Sequence, residues 1–237
     1  MHRNLKPQNR WVVLGGCCFA FLSAAVNAGF LLKLGTSVGH LTGDVSRVAM
    51  DSVMRHDRAM SAAANLLIAT VGFVLGATGA GYFIHHPNLN LTRPYGRAVC
   101  ATGVLLLGAH HLIGRHPLGA IALASMSCGL QNALATHYRG MVLRTTHLTG
   151  LLTDLGTNLG MKLKGHRIHA WKLLVPASIA FSFFAGAAFG SILVFSFRAP
   201  FLLILACIYL AGGICWTLYK HWYSQSAQTE APSYGSY

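Results

Sequence analysis

The sequence predicts an all-α membrane protein of six transmembrane helices. They form two inverted three-helix repeats, each carrying an amphipathic or re-entrant segment. Three observations lead there. Only 10% of the 237 residues are charged and 54% are apolar, whereas soluble domains average about 25% charged. The uncharged runs are 17 to 25 residues long, enough to cross a hydrocarbon core as a helix. The tetrapeptide His-Leu-Thr-Gly, with its surroundings, occurs twice.

The charge balance narrows the class further. Eighteen Lys and Arg against five acidic residues give +13, a balance a nucleic-acid binder could have. A positive mean hydropathy together with such long uncharged runs excludes one. The same runs exclude a disulfide-stapled secreted scaffold and a disordered chain.

The first span is Trp11 to Leu32, 22 residues, or roughly 33 Å of helix. Ala62 to Ile84, Ala98 to Gly114, Pro117 to Tyr138, Leu173 to Phe197 and Ala199 to Tyr219 follow. Backbone amides in lipid must be satisfied within the segment, so each span is helical. Runs such as Val104-Leu105-Leu106-Leu107 do not alternate with period two, which excludes a barrel. Arg3, Lys6 and Arg10 precede the first span. Its apolar stretch is longer than a signal peptide's and lacks a cleavage site, so it reads as a retained helix.

In this topology 12 Lys and Arg fall on one side, among them Arg93, Arg97, Arg139 and Lys172. Six fall on the other: Lys33, Arg47, Arg55, Arg58, Arg115 and Arg198. The positive-inside rule then predicts a multi-pass protein of the cell (inner) membrane with both termini cytoplasmic. Residues 224–237, polar and rich in Ser and Tyr, read as a disordered cytoplasmic tail. All six cysteines fall inside spans without a CxxC spacing and read as small apolar filler. The sequon Asn90-Leu91-Thr92 falls on the cytoplasmic side and is discounted.

The repeat runs over about 11–114 and 117–219 within a single membrane domain. His40 to Gly43 and His147 to Gly150 are 107 residues apart. Each follows a helix ending in small and polar residues: Ser23 to Asn27-Ala28, and Ser127 to Gln131-Asn132-Ala133. The second and fifth spans share a ladder of small residues, Gly72, Gly76 and Ala80 against Ser182, Gly186 and Gly190. Units of an odd number of spans enter the membrane from opposite faces, which makes the repeat inverted. The ladders allow close helix packing and place the second and fifth spans near the pseudo-axis.

The segments that begin with His-Leu-Thr-Gly are amphipathic. In the first, Asp44, Arg47, Asp51, Arg55 and Arg58 form an alternating-sign face opposite Leu41, Val45 and Val48. In the second, Leu148, Leu151 and Leu155 lie opposite Thr153, Asp154, Asn158 and Lys162. One reading is an interfacial helix with Thr as its N-cap. The favoured one is a re-entrant half-helix whose first amides, with His40 and Thr42 or His147 and Thr149, point at a ligand. Arg47 and Asp154 occupy equivalent positions with opposite charges, and an ion pair between them is expected.

The runs Asn27-Ala28-Gly29-Phe30 and His40-Leu41-Thr42-Gly43-Asp44 resemble the first signature of the YoaK-like bacterial membrane proteins. Gly129-Leu130-Gln131-Asn132-Ala133, then Arg144-Thr145-Thr146-His147-Leu148-Thr149-Gly150 and Asp154, is similar to the second. The resemblance covers roughly residues 10 to 220. It implies six spans in a family described mainly by domains of unknown function. This chain departs from it with Asn27 where an acid is usual and Asp44 where Asn is usual.

Thirteen histidines include the pairs His85-His86 and His110-His111. Adjacent side chains diverge on a helix, so no metal site is expected, and no cofactor motif is present. A hydrolase built from Ser23 or Ser125 with His147 has no support in the spacing, and the protein is not expected to be an enzyme. The predicted function is a small-solute transporter or channel with its site between the repeats. Its substrate-binding set is Asn27, His40, Thr42, Gly43, Asp44, Gln131, Asn132, Arg144, His147, Thr149, Gly150 and Asp154. The alternative is a non-transporting scaffold or sensor whose basic loop, Arg139 to Lys172, binds anionic lipid or a partner. The expected partners are the bilayer and an unidentified small solute, with no nucleic acid; a homo-oligomer is compatible with either reading.

Overall fold

The computed structural model describes residues 7–54, 59–83, 95–134 and 147–229, and these are helical throughout apart from short links. The helices are α1 (Pro7–Leu34), α2 (Leu41–Val53), α3 (Ala59–Phe83), α4 (Tyr95–Leu112), α5 (Pro117–Leu134), α6 (Leu148–Leu163), α7 (Trp171–Phe195) and α8 (Phe201–Thr229). Four are long and apolar enough to cross a bilayer, over Trp11–Leu34, Ala59–Tyr82, Trp171–Phe195 and Phe201–Trp222. This is a membrane protein. α4 and α5 have 18 residues each, roughly 27 Å. α4 contains Arg97, His110 and His111, and α5 contains Gln131 and Asn132, which lowers their apolarity below that of the other four.

α8 continues to Thr229, so residues 224–229 belong to a helix rather than to the expected tail. The remainder of that tail lies outside the described residues. So do Arg144, His85-His86, the sequon at Asn90 and the end of the predicted span to Tyr138.

The main pairings of the long helices run across the repeated sequence. α1 packs along α7, α3 along α5, and α4 along α8; α2 sits on α3, and α6 on α7. The small-residue ladders make the first two pairings. A Cβ on Gly76 would collide with the Met126 carbonyl of α5, and one on Gly186 with the Phe21 carbonyl of α1. On Gly72 it would lie 2.6 Å from the Ala122 carbonyl, and Gly190 faces the Ala25 carbonyl in the same way. Gly72, Gly76, Ala80, Gly186 and Gly190 are buried, and Ser182 is half-buried. Each ladder therefore seats on a helix of the other copy instead of meeting the other ladder. Small residues permit backbone contact, but the sequence does not say with which partner.

The main core lies between α1, α4, α5 and α8, where Phe30, Leu106, Ile121, Leu205 and Tyr209 are fully enclosed. α2 and α6 lie on its flanks. Val45, Met50 and Val53 of α2 are mostly exposed, Val53 at 84%, while Asp44 is buried. Ser46 and Arg47 are exposed as well, so α2 turns Asp44 toward the protein and a mixed polar and apolar face outward.

Candidate polar site between the helices

Gly35 ends α1 with φ +64°, the left-handed conformation that glycine adopts without a Cβ clash. The chain reverses there and runs back along α1. The Val38 and Gly39 amides donate to Asn27 Oδ1 at 3.0 and 3.1 Å, and the Ser37 hydroxyl donates to it at 2.7 Å. Asn27 precedes Leu34 by seven residues, so residues 38–39 sit roughly 10 Å inside the end of α1. α2 then leads outward, and Arg47 donates to the Gly35 carbonyl.

Ser37 is the centre of this turn. Its amide donates to Asp44 Oδ2 at 2.7 Å, and its hydroxyl accepts from the His40 amide at 2.9 Å. Asn65 of α3 donates to the Thr36 hydroxyl at 2.9 Å. Asn27 and Asp44, at 6% and 7% exposure, therefore hold the same serine, one by its hydroxyl and the other by its amide. Ser37, Thr36 and Asn65 were missed from the sequence. A hydroxyl three residues before the helix start at His40 was the available signal.

His40 is the N-cap of α2 and His147 that of α6, with φ/ψ of −123/59° and −95/63°; neither makes a side-chain cap bond. The expected cap by Thr42 and Thr149 is corrected: both fall in the first helical turn and are exposed, with Gly43 and Gly150 beside them. The Ser46 and Thr153 hydroxyls donate to the Thr42 and Thr149 carbonyls respectively. The His40 ring meets Phe183 of α7 edge-on, with centroids 4.9 Å apart. Its Nε2 is buried without a partner. Burial, and then the nearby His147, push the His40 imidazole below its ordinary range. The first tetrapeptide thus reaches across to the second copy.

In α5, Gln131 donates through Nε2 to the Phe19 carbonyl at 2.9 Å and accepts from the Tyr209 hydroxyl. This joins α1, α5 and α8 at one buried point. Tyr209, a phenol inside an apolar span, was not anticipated. Asn132 Oδ1 is buried without a partner. Among the described residues, no group of three His, Cys, Asp or Glu could hold a metal ion.

The protein-of-unknown-function family DUF1275 has a model that matches residues 15–215. The chain belongs to the DUF1275 family. No curated protein and no solved structure matches it.

In this DUF1275 protein the Arg47–Asp154 ion pair is not formed. Arg47 is exposed and bonded to the Gly35 carbonyl, and Asp154 lies on the exposed face of α6. Equivalent positions in a repeat share a local environment, which is no guarantee of contact. Asn27, His40 and Asp44 are brought together at the first turn, and Gln131 and Asn132 follow one another on α5. His147 is drawn toward His40, while Thr42, Gly43, Thr149 and Asp154 lie toward the outside.

Proposed function

We propose that this protein carries a small polar solute across the membrane, through a site where the two tetrapeptide turns approach each other. The observation that carries the reading is the inward return of residues 35–40. It sets the start of α2, and the unpartnered Nε2 of His40, beside Phe183 of α7 and near His147. The start of α2, beside a polar side chain with an unpartnered nitrogen, suits an oxygen-bearing or anionic solute.

The six-span inverted repeat is part of the same proposal. Exchanging the copies maps α1–α7 packing onto α5–α3, and α2–α3 onto α6–α7. Gly76 and Gly186 are 110 residues apart, and the carbonyls they meet, Phe21 and Met126, are 105 apart. That second offset also relates Asn27 to Asn132 and Gly35 to Gly140. α4 and α5 supply the remaining two spans. The YoaK-like signatures and the basic-residue bias support placing the chain in the inner membrane with cytoplasmic termini.

Single cysteines at Thr42 and Thr149 in a chain freed of its own cysteines test the arrangement. A membrane-impermeant thiol reagent should reach them from opposite sides, and labelling from one side would remove the inverted repeat. Purified protein should then gain thermal stability with at least one solute in a broad panel. His40→Ala should abolish that gain. A panel with no response would favour the scaffold reading.

A further inference from the structure

Exchanging the two copies maps the α4–α5 contact onto α8–α1, yet these differ. α4 and α5 pack along their lengths, whereas α1 and α8 meet only sparsely. A cavity of about 740 Å³ lies at that second junction, lined mainly by α1 and α8 with parts of α4, α5 and α7. Its wall is almost entirely carbon, and it runs from Trp11 and Trp216 to Leu22 and Ile208. Trp11 precedes Leu22 by eleven residues, or roughly 16 Å of helix, about half of a 30 Å hydrocarbon core. The cavity is one leaflet deep.

Its two ends differ in chemistry. At one end Trp11 and Trp216 each lie against Tyr219, with ring centroids 6.5 and 6.1 Å apart, the kind of cluster that settles at headgroup level. There Trp216 Nε1 is enclosed by protein atoms without a partner, and the cavity wall includes one serine, Ser182. The other end closes on Tyr209, whose hydroxyl is already committed to Gln131. A polar solute would lose its hydration against such a wall. A helix about 10 Å across and one leaflet long would need well over 1,000 Å³. A hydrocarbon chain fits both the shape and the apolar wall.

We propose that the α1–α8 junction binds one acyl chain of a bilayer phospholipid, from the leaflet at the Trp11 end. The lipid takes the place that direct helix contact fills at α4–α5, and holds α8 to α1.

Native mass spectrometry of the detergent-purified full chain, titrated with phosphatidylglycerol or phosphatidylethanolamine, tests this. Wild type should retain one tightly held phospholipid. A Cβ on Gly15 or Gly212 would meet nothing within 4 Å, and both line the cavity. Gly15→Phe and Gly212→Phe should therefore fill it and reduce the one-lipid species at least ten-fold, with circular dichroism and sizing unchanged. Gly79→Phe, equally open but on α3, should retain the lipid. Wild type without a retained lipid would overturn the proposal, as would a first lipid held no more tightly than those that follow it. Should the glycine variants fail to fold, that wild-type titration decides.

Discussion

Asn27 and Asn132 stand 105 residues apart at matching places in the repeated sequence, and their amides are in opposite situations. Asn27 Oδ1 accepts from two backbone amides and a hydroxyl of the turn that follows α1. Asn132 Oδ1 is buried with none. The first copy has used its polarity to anchor its own chain. The second leaves an acceptor unmet, at a cost of about 1–3 kcal/mol. A sequence motif specifies which polar groups are present, and the packing around each copy specifies whether they are already engaged. In a solute carrier, such a difference would make the first turn the fixed wall of the site and the second the responsive one.

If the packing scaffold is alike in both copies while the polar turns differ, the largest effects should be equal between them. Gly76→Leu and Gly186→Leu each drive a side chain into a backbone carbonyl. Each should cost about 3 kcal/mol or more, seen as loss of monodisperse protein after extraction. Gly108→Leu, which meets only the end of the Leu123 side chain, should be much milder. Equal tolerance at all three positions would show the ladders to be ordinary membrane glycine.

The polar turns should respond unequally. Asn27→Ala strands three donors and should destabilise by about 3 kcal/mol, while Asn132→Leu should be neutral within about 0.5 kcal/mol or stabilising, both read by thermal unfolding in detergent. Asn27→Asp would place two carboxylates on Ser37 and should be damaging. Adding Asp44→Asn restores one acid and one amide around that serine and should recover most of the loss. Strict additivity of the two would show that Asn27 and Asp44 do not act through Ser37.

A smaller effect is expected at the exposed charges. Arg47→Gln and Asp154→Asn should each cost less than about 1 kcal/mol and combine additively. A coupling energy above that would restore the ion pair that the structure lacks.

The mildest test is pH. His40 is held below its ordinary 6.5 by burial and then by His147, so the unfolded chain binds a proton more readily than the folded one. Stability should therefore fall as pH drops below about 6.5, until the folded His40 itself protonates. Melting curves from pH 8 to 5 should show this decline, and His40→Gln should flatten it. An unchanged slope in that variant would assign the decline to other groups.

Much of the architecture can be read from local pattern. Uncharged runs of span length dictate helices because lipid offers the backbone no other partner, so α1, α3, α7 and α8 were legible from composition alone. The recurrence of His-Leu-Thr-Gly and of the glycine ladders was legible too, as was the polar character of Asn27, Gln131 and Asp44. Hydrogen-bond pairing across ten or more residues was not. Nothing local links Ser37 to Asn27 or Tyr209 to Gln131, since a donor and its acceptor leave no periodic trace when separate elements carry them. Nor could the ladders announce their partners, because a glycine accepts any backbone that approaches it. Tertiary structure alone decided that α3 seats on α5 and α7 on α1, that Arg47 turns to a carbonyl instead of Asp154, and that a leaflet-deep cavity remains where α8 fails to close on α1. Those choices depend on the shape of surfaces brought together from distant parts of the chain.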